Sequence, residues 1–230
     1  MKTTLQFPAV KPLGVIAMAL IFSCPLIHAA DTYDASLKAG DGHLAKKEYD
    51  QALVEFDAAL KLAENPGMKA LALGKKGAAY NELKNYAEAR KVAQEAVDTP
   101  ELAPVAKVIA LQALGEAQLK GDKNYPAAIE NLDKASKLEG VDWAQPMVNL
   151  LLGDAYSFSG KSTEGIAAYA KVIATPGVND GLKAIAWLNT GTASQYGLKD
   201  AAKAKAAYAE AVKLNPELKA TVDGHLAKLQ

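Results

Sequence analysis

The sequence predicts an all-α chain, a solenoid of five helix–turn–helix units closed by a capping helix. Three observations lead there. Alanine-centred segments recur along the chain, with Ala52, Ala89, Ala128, Gly165 and Ala204 spaced 37, 39, 37 and 39 residues apart. Around each anchor the apolar residues follow a helical period in two stretches of about a dozen residues, parted by Gly, Asp, Asn or Lys. At an offset of 76 residues the chain also matches itself: Thr99-Pro100 with Thr175-Pro176, Lys107 with Lys183, Ile109 with Ile185, Gly115 with Gly191, and Lys137-Leu138 with Lys213-Leu214. A pair of units was duplicated, and the first unit stands outside the duplicated block.

The units are expected at about 33–66, 70–103, 108–141, 146–179 and 184–216, with the cap at 217–230, all in one domain over 31–230. In the first, helix A spans about 33–46 and helix B about 50–63, with Ala52, Phe56 and Ala59 as the buried stripe and Pro66 limiting its extension. Tyr49-Asp50-Gln51-Ala52 returns as Tyr86-Ala87-Glu88-Ala89 and Tyr125-Pro126-Ala127-Ala128. Units three and five carry one extra residue in the turn, which predicts looser packing or a changed angle there. The tail places Leu218, Val222, Leu226 and Leu229 on one face, with lysines and Asp223 elsewhere, as a capping helix does. No helix here can bury its stripe alone, so neighbouring units must stack.

Gly77 with Tyr80, Leu152-Gly153 with Tyr156, the stripe Ala52, Phe56 and Ala59, and Ala204, Tyr208 and Ala211 followed by Leu214-Asn215-Pro216 together resemble the tetratricopeptide repeat family over about residues 33–216. Small residues sit where two helices approach, and an aromatic ring fills the space beside them. Departures are Lys76 in place of leucine before Gly77, and Gln118 and Ser194 in place of the helix A aromatic. The resemblance implies a right-handed α-solenoid acting as a non-enzymatic protein–protein interaction adaptor or scaffold.

The first thirty residues read as an export signal. Lys2 and Lys11 precede an apolar run from Leu13 to Cys24, and Ala29-Ala30 follows. The run is shorter than the roughly 20 residues a spanning helix needs, and no second one follows. Cleavage is expected after Ala30 or one residue to either side, placing the protein in the periplasm. Ile21-Phe22-Ser23-Cys24 is also a weak lipoprotein box, and this leaves open the less favoured alternative of a lipid-anchored accessory factor in cell-envelope assembly. Cleavage at Ala30 removes Lys2, Lys11 and Cys24, leaving a cysteine-free chain of net charge −2.

Composition narrows the chemistry. The chain is 50% apolar and 7% aromatic, with 26 basic and 26 acidic residues and Arg90 as the single arginine, so nucleic acid is not an expected partner. A lone cysteine excludes an internal disulfide and a Cys-rich zinc site. Ala155-Tyr-Ser-Phe-Ser-Gly160-Lys161-Ser162 matches a permissive phosphate-binding loop, but it falls in a helix-turn position of the fourth unit where no strand precedes it. His43 and His225 lie at opposite ends of the array; His43 holds the helix A aromatic position of its unit and His225 belongs to the cap. No serine stands in an elbow with a paired base, so a hydrolase is disfavoured. No cofactor, metal or catalytic residue is expected. Seven tyrosines (Tyr49, Tyr80, Tyr86, Tyr125, Tyr156, Tyr169 and Tyr208) fall at repeat positions and read as packing residues; Tyr33 and Tyr196 do not.

By the same resemblance, a partner segment lies along the concave face lined by helix A. The groove residues expected on that basis are Leu37, Asp41 and Leu44; Gly74, Ala78 and Asn81; Gln112, Glu116 and Leu119; Met147, Leu150, Asp154 and Phe158; and Ile185, Leu188, Thr192 and Tyr196. The family's lysine and asparagine clamp for a C-terminal carboxylate is not reproduced. The mixture instead suits an apolar protein or peptide segment with basic flanks, bound by buried anchors and an acidic rim. Two alternatives stay open, that the apolar surface packs on the chain's own cap and that the chain self-associates.

Overall fold

A helix starts where a side chain can replace the acceptors its first turn lacks. In the computed structural model, which describes residues 32–229, Thr32, Asn65, Asn85, Asn124, Asn179 and Asp200 each accept the backbone N–H three residues on and so open a helix. The expected export signal at 1–30 and Cys24 lie outside the described residues.

The helices are α1 (Tyr33–Ala45), α2 (Tyr49–Leu62), α3 (Pro66–Glu82), α4 (Tyr86–Val97), α5 (Pro104–Ala117), α6 (Tyr125–Ser136), α7 (Gln145–Phe158), α8 (Ser162–Ala174), α9 (Asp180–Thr192), α10 (Ala201–Leu214) and α11 (Lys219–Leu226). Among the described residues there is no strand, and the chain is an all-α solenoid. Odd-numbered helices from α1 to α9 are the first helices of the five units, and even-numbered ones the second. Pro66 does not merely limit the first unit. It sits in the first turn of α3 behind the Asn65 cap, where its missing N–H costs no hydrogen bond, so the second unit's first helix starts earlier than the expected position 70.

Within each unit the turn closes on a residue of positive φ: Lys47 at 62°, Lys84 at 59°, Lys123 at 52°, Gly160 at 82° and Lys199 at 58°. These positions repeat the 37, 39, 37, 39 spacing. The phosphate-loop-like stretch is thereby explained, since Gly160 is this turn residue in the fourth unit and Ser162 opens α8.

Units three and five absorb their extra residue in π-helical turns at Gln118–Asp122 and Ala193–Leu198. Gly121 and Gly197, 76 residues apart, lie in these turns against the first residue of the preceding unit's second helix, Tyr86 and Ser162 respectively. A methyl group at either glycine would overlap that residue. The extra residue therefore widens the last turn and seats it on its neighbour instead of loosening the unit. Gln118 and Ser194 fall in these turns; Ser194 is fully buried, and the Gln118 amide oxygen accepts from Asn131 at 2.9 Å.

Packing inside a unit follows one rule. A glycine on the first helix receives a large side chain from the second: Gly40 receives Phe56, Gly115 Leu132, Gly153 Tyr169 and Gly191 Tyr208, each so close that a Cβ would overlap it. The second unit differs, because the side chain its second helix sets against Gly77 is only the methyl of Ala93. There α5 closes directly on α3, with Gly74 against Ile109 and Ala110 and Gly77 against Ala113. At the C-terminal end, Val222, Leu226 and Leu229 pack onto Ala204 and Tyr208, while Leu218 lies in a preceding 3₁₀ turn, Pro216–Leu218.

Two measurements check this account. Gly191→Ala and Gly42→Ala gain the same helix propensity, but the residue 42 site is open space whereas the residue 191 site abuts the Tyr208 ring; chemical denaturation is expected to show the first destabilised by about 1–3 kcal/mol and the second stabilised by up to about 1 kcal/mol. Glu101 holds a φ of 54° where its duplicate, 76 residues on, is Gly177 at 75°. Glu101→Gly is expected to raise stability by about 0.5–1 kcal/mol, the relief of left-handed strain less the added freedom of glycine when unfolded.

Candidate functional site

The feature that stands apart from repeat packing lies between the fourth and fifth units. The contact of Tyr169 on Gly153 fixes the ring, and the ring carries its hydroxyl to Asp154 Oδ1 at 2.7 Å. Asn189, from α9, donates its amide to the same oxygen at 2.8 Å, which ties the two units together. Ser157 Oγ lies 3.4 Å from the Tyr169 hydroxyl. Both donors thus reach Oδ1, and Oδ2 has no hydrogen-bond partner among the described residues.

Burial raises the Asp154 pKa, with the Glu116 charge adding a little; the hydrogen bond from Tyr169, the Lys120 charge and the hydrogen bond from Asn189 oppose the rise. Tyr169 is pushed up as well, first by burial and then by the Asp154 charge. Lys120 does not neutralise Asp154 directly, because its ammonium is bound to Glu116 at 2.5 Å. The result is a desolvated carboxylate with one free oxygen and no ion-pair partner.

Around it lies a cleft of about 650 Å³ lined by Asp154, Ser157, Phe158, Gly160, Ser162, Tyr169, Asn189, Thr192, Ala193, Tyr196 and Gly197. Phe158 is 66% exposed and Tyr196 44% exposed, so the two rings stand out as walls. Phe158 stacks on Tyr125 at 6.0 Å, and Tyr196 meets the edge of His225 at 6.0 Å. His225 is stacked in turn on Tyr208 at 5.3 Å, and its backbone oxygen accepts from Gln195. Burial, then the Lys228 charge, lowers the His225 pKa. A larger cleft, about 780 Å³, lies between the α2–α3 connection and the end of α4 and is lined by Lys69, Lys91, Glu95 and Asp98 among others; its walls are charged and carry no aromatic side chain.

Of the residues expected in the groove, Asp154, Phe158, Thr192 and Tyr196 come together in this cleft. Met147 and Ile185 are exposed elsewhere, Met147 in a separate cleft beside Trp143 and Leu182. Leu188 packs on the cap cluster, so part of the apolar face is indeed covered by the chain itself. Leu37, Leu119 and Leu150 are core residues rather than groove lining, because the helices beside them cover the helical faces they occupy. Asn81 is buried in the α3–α5 seam and donates to the Ala113 carbonyl at 2.8 Å. Gly74 lies in that seam too, and Ala78 is half-buried on α3. Asp41 holds Lys75 at 2.7 Å on the surface, Leu44 packs on the first unit's core, and Gln112 and Glu116 are half-buried on α5. The sequence reading missed Asn189 and Ser157, and saw in Tyr169 only a packing residue. Its repeat register signals the ring contact, whereas nothing local signals that a residue 35 positions from Asp154 shares its oxygen.

The stacked helix pairs and the cleft between two of them define an α-solenoid repeat protein. Residues 184–218, the fifth unit, match the model of the tetratricopeptide repeat. Solved structures with this fold include MamA, 25% identical, with 79% of this chain and 96% of that one covered and a TM-score of 0.55. YrrB, described as a TPR protein with an unusual peptide-binding site, is 20% identical over 87% of this chain and 94% of that one, with a TM-score of 0.59. The C-terminal part of a TPR repeat-containing protein from Cytophaga hutchinsonii is 16% identical over 87% and 77%, with a TM-score of 0.56. No match is found among curated protein sequences. Among the described residues no helix is long and apolar enough to cross a membrane, and no three His, Cys, Asp or Glu side chains gather as a metal site.

The raised Asp154 pKa has a measurable consequence. The folded chain keeps this proton to a higher pH than the unfolded chain does, so the stability linked to it is full below the ordinary carboxylate range, about pH 4, and is lost as pH rises through the folded value. Asp154→Asn keeps an oxygen for both donors and removes the desolvated charge. Thermal melts are expected to show a higher Tm than wild type at pH 7, with the difference closing at pH 3.

Proposed function

We propose that this chain is an exported, non-enzymatic adaptor that binds an apolar, basic-flanked segment of a partner protein in the cleft between its fourth and fifth units. The observation that carries the reading is the pair of exposed rings, Phe158 and Tyr196, that line one cleft of about 650 Å³. Exposed aromatic side chains around a concavity are the usual anchors of a protein interface. YrrB, whose description names a peptide-binding site, shares the fold, and the proposal extends segment binding to this chain. Export rests on the lysines, apolar run and small residues of positions 1–30.

A photocrosslinking residue placed at Phe158 or Tyr196 in living cells is expected to capture a discrete partner that the same probe at exposed Lys91 does not. Adducts equal at all three sites, or only adducts between copies of this chain, would overturn the adaptor reading. Fractionation of the same cells tests export: the protein is expected in the periplasmic extract, shortened near residue 30. A cytoplasmic, full-length protein would refute it, and incorporation of labelled fatty acid would replace soluble export with anchoring at Cys24.

A further inference from the structure

The arrangement of charge and apolar surface in the cleft is the reverse of an apolar pocket with an acidic rim. The exposed rings of Phe158 and Tyr196 line the cleft together with Asp154, whose partly buried carboxylate is held by two neutral donors. We propose that the cleft is a receptor for a single cationic side chain, a lysine or arginine flanked by apolar residues, whose ammonium or guanidinium binds Asp154 Oδ2 between the two rings. This rests on the proposed binding of a partner segment in the cleft and reverses the order of its chemistry: the basic residue is the central anchor of the bound segment, and the apolar flanks rest on the walls.

Three observations carry the assignment. The first is geometry: Tyr169 and Asn189 both donate to Oδ1 and so orient the carboxylate, leaving Oδ2 without a partner among the described residues. A carboxylate oriented in this way suits a charge-assisted hydrogen bond from an incoming N–H donor. The second is charge: the neighbouring cation, Lys120, is held by Glu116 at 2.5 Å, so Asp154 has no cation within ion-pair distance among the described residues, and Glu116 offsets part of the Lys120 field. The third is the walls: aromatic faces flanking a carboxylate favour a cation over a neutral or anionic group, through ring–cation attraction added to the ion pair. An asparagine at 154 would still accept both internal hydrogen bonds, more weakly but without the desolvation of a charge; a cationic ligand gives that charge a further use.

The test is selection of binders from a displayed random-peptide library with the complete protein, followed by affinity measurements on wild type, Asp154→Asn and Phe158→Ala. Selected peptides are expected to carry a lysine or arginine at a constant place beside apolar residues, and to lose about tenfold or more in affinity for each variant. Changing that one basic residue to norleucine is expected to cost wild type the same factor and to cost Asp154→Asn nothing further, because the two changes break one interaction. Peptides that weaken with Phe158→Ala but bind Asp154→Asn as tightly as wild type would overturn the cation receptor and leave the groove reading standing. Peptides indifferent to both variants, or no enriched peptide, would overturn both. Because Asp154→Asn retains the oxygen that Tyr169 and Asn189 share, its circular dichroism and melting serve as the control for folding.

Discussion

The contact between a first-helix glycine and a second-helix side chain is the constraint from which the rest of this molecule follows. Where Gly40, Gly115, Gly153 and Gly191 take Phe56, Leu132, Tyr169 and Tyr208, two helices approach to ring-contact distance and their mutual register is set. A Cβ at any of these glycines would drive the pair apart. The same contact positions chemistry. In the fourth unit the ring pressed on Gly153 belongs to a tyrosine, and its hydroxyl emerges beside Asp154, one residue further along α7. A packing rule repeated for stability thus supplies, once, an oriented carboxylate.

The second unit shows what happens when that side chain is only a methyl. Ala93 leaves Gly77 uncovered by any large side chain, and α5 fills the space against α3, drawing Asn81 into the seam as a donor to Ala113. Charged pairs lie nearby: Lys75 on Asp41 at 2.7 Å and Lys76 on Asp57 at 2.6 Å. Here helix A residues spend their polar groups within the chain. Between α7 and α9 no such closure occurs; the units pack through α8 and α9, and Asn189 reaches across to Asp154. The open cleft and the closed seam are therefore two outcomes of the same architecture, separated by the size of one side chain per unit.

The π-helical turns complete the cleft. Gly197, in the turn that accommodates the fifth unit's extra residue, lies on Ser162 at the start of α8, and both residues line the cleft with Tyr196 between them and the cap. Tyr196 is supported from behind by His225, which is itself stacked on Tyr208. The short α11 accordingly does more than cover the last apolar face; it braces one wall of the cleft.

The sequence by itself determined the repeat, its 37 and 39 residue spacing, the paired duplication, the helical class and the position of the extra turn residues, because these rest on local periodicity and on small residues at fixed intervals. The resemblance to a repeat family also put Asp154, Phe158, Thr192 and Tyr196 on one expected face, and these four line a single cleft. Only the tertiary structure decided that Leu37, Asn81, Leu119 and Leu150 are covered, that Tyr169 and Asn189 converge on one oxygen, and that Asp154 shares one cleft with the exposed rings of Phe158 and Tyr196. Those outcomes depend on the distance and rotation between helices from different units, which side-chain volumes at several remote positions set together.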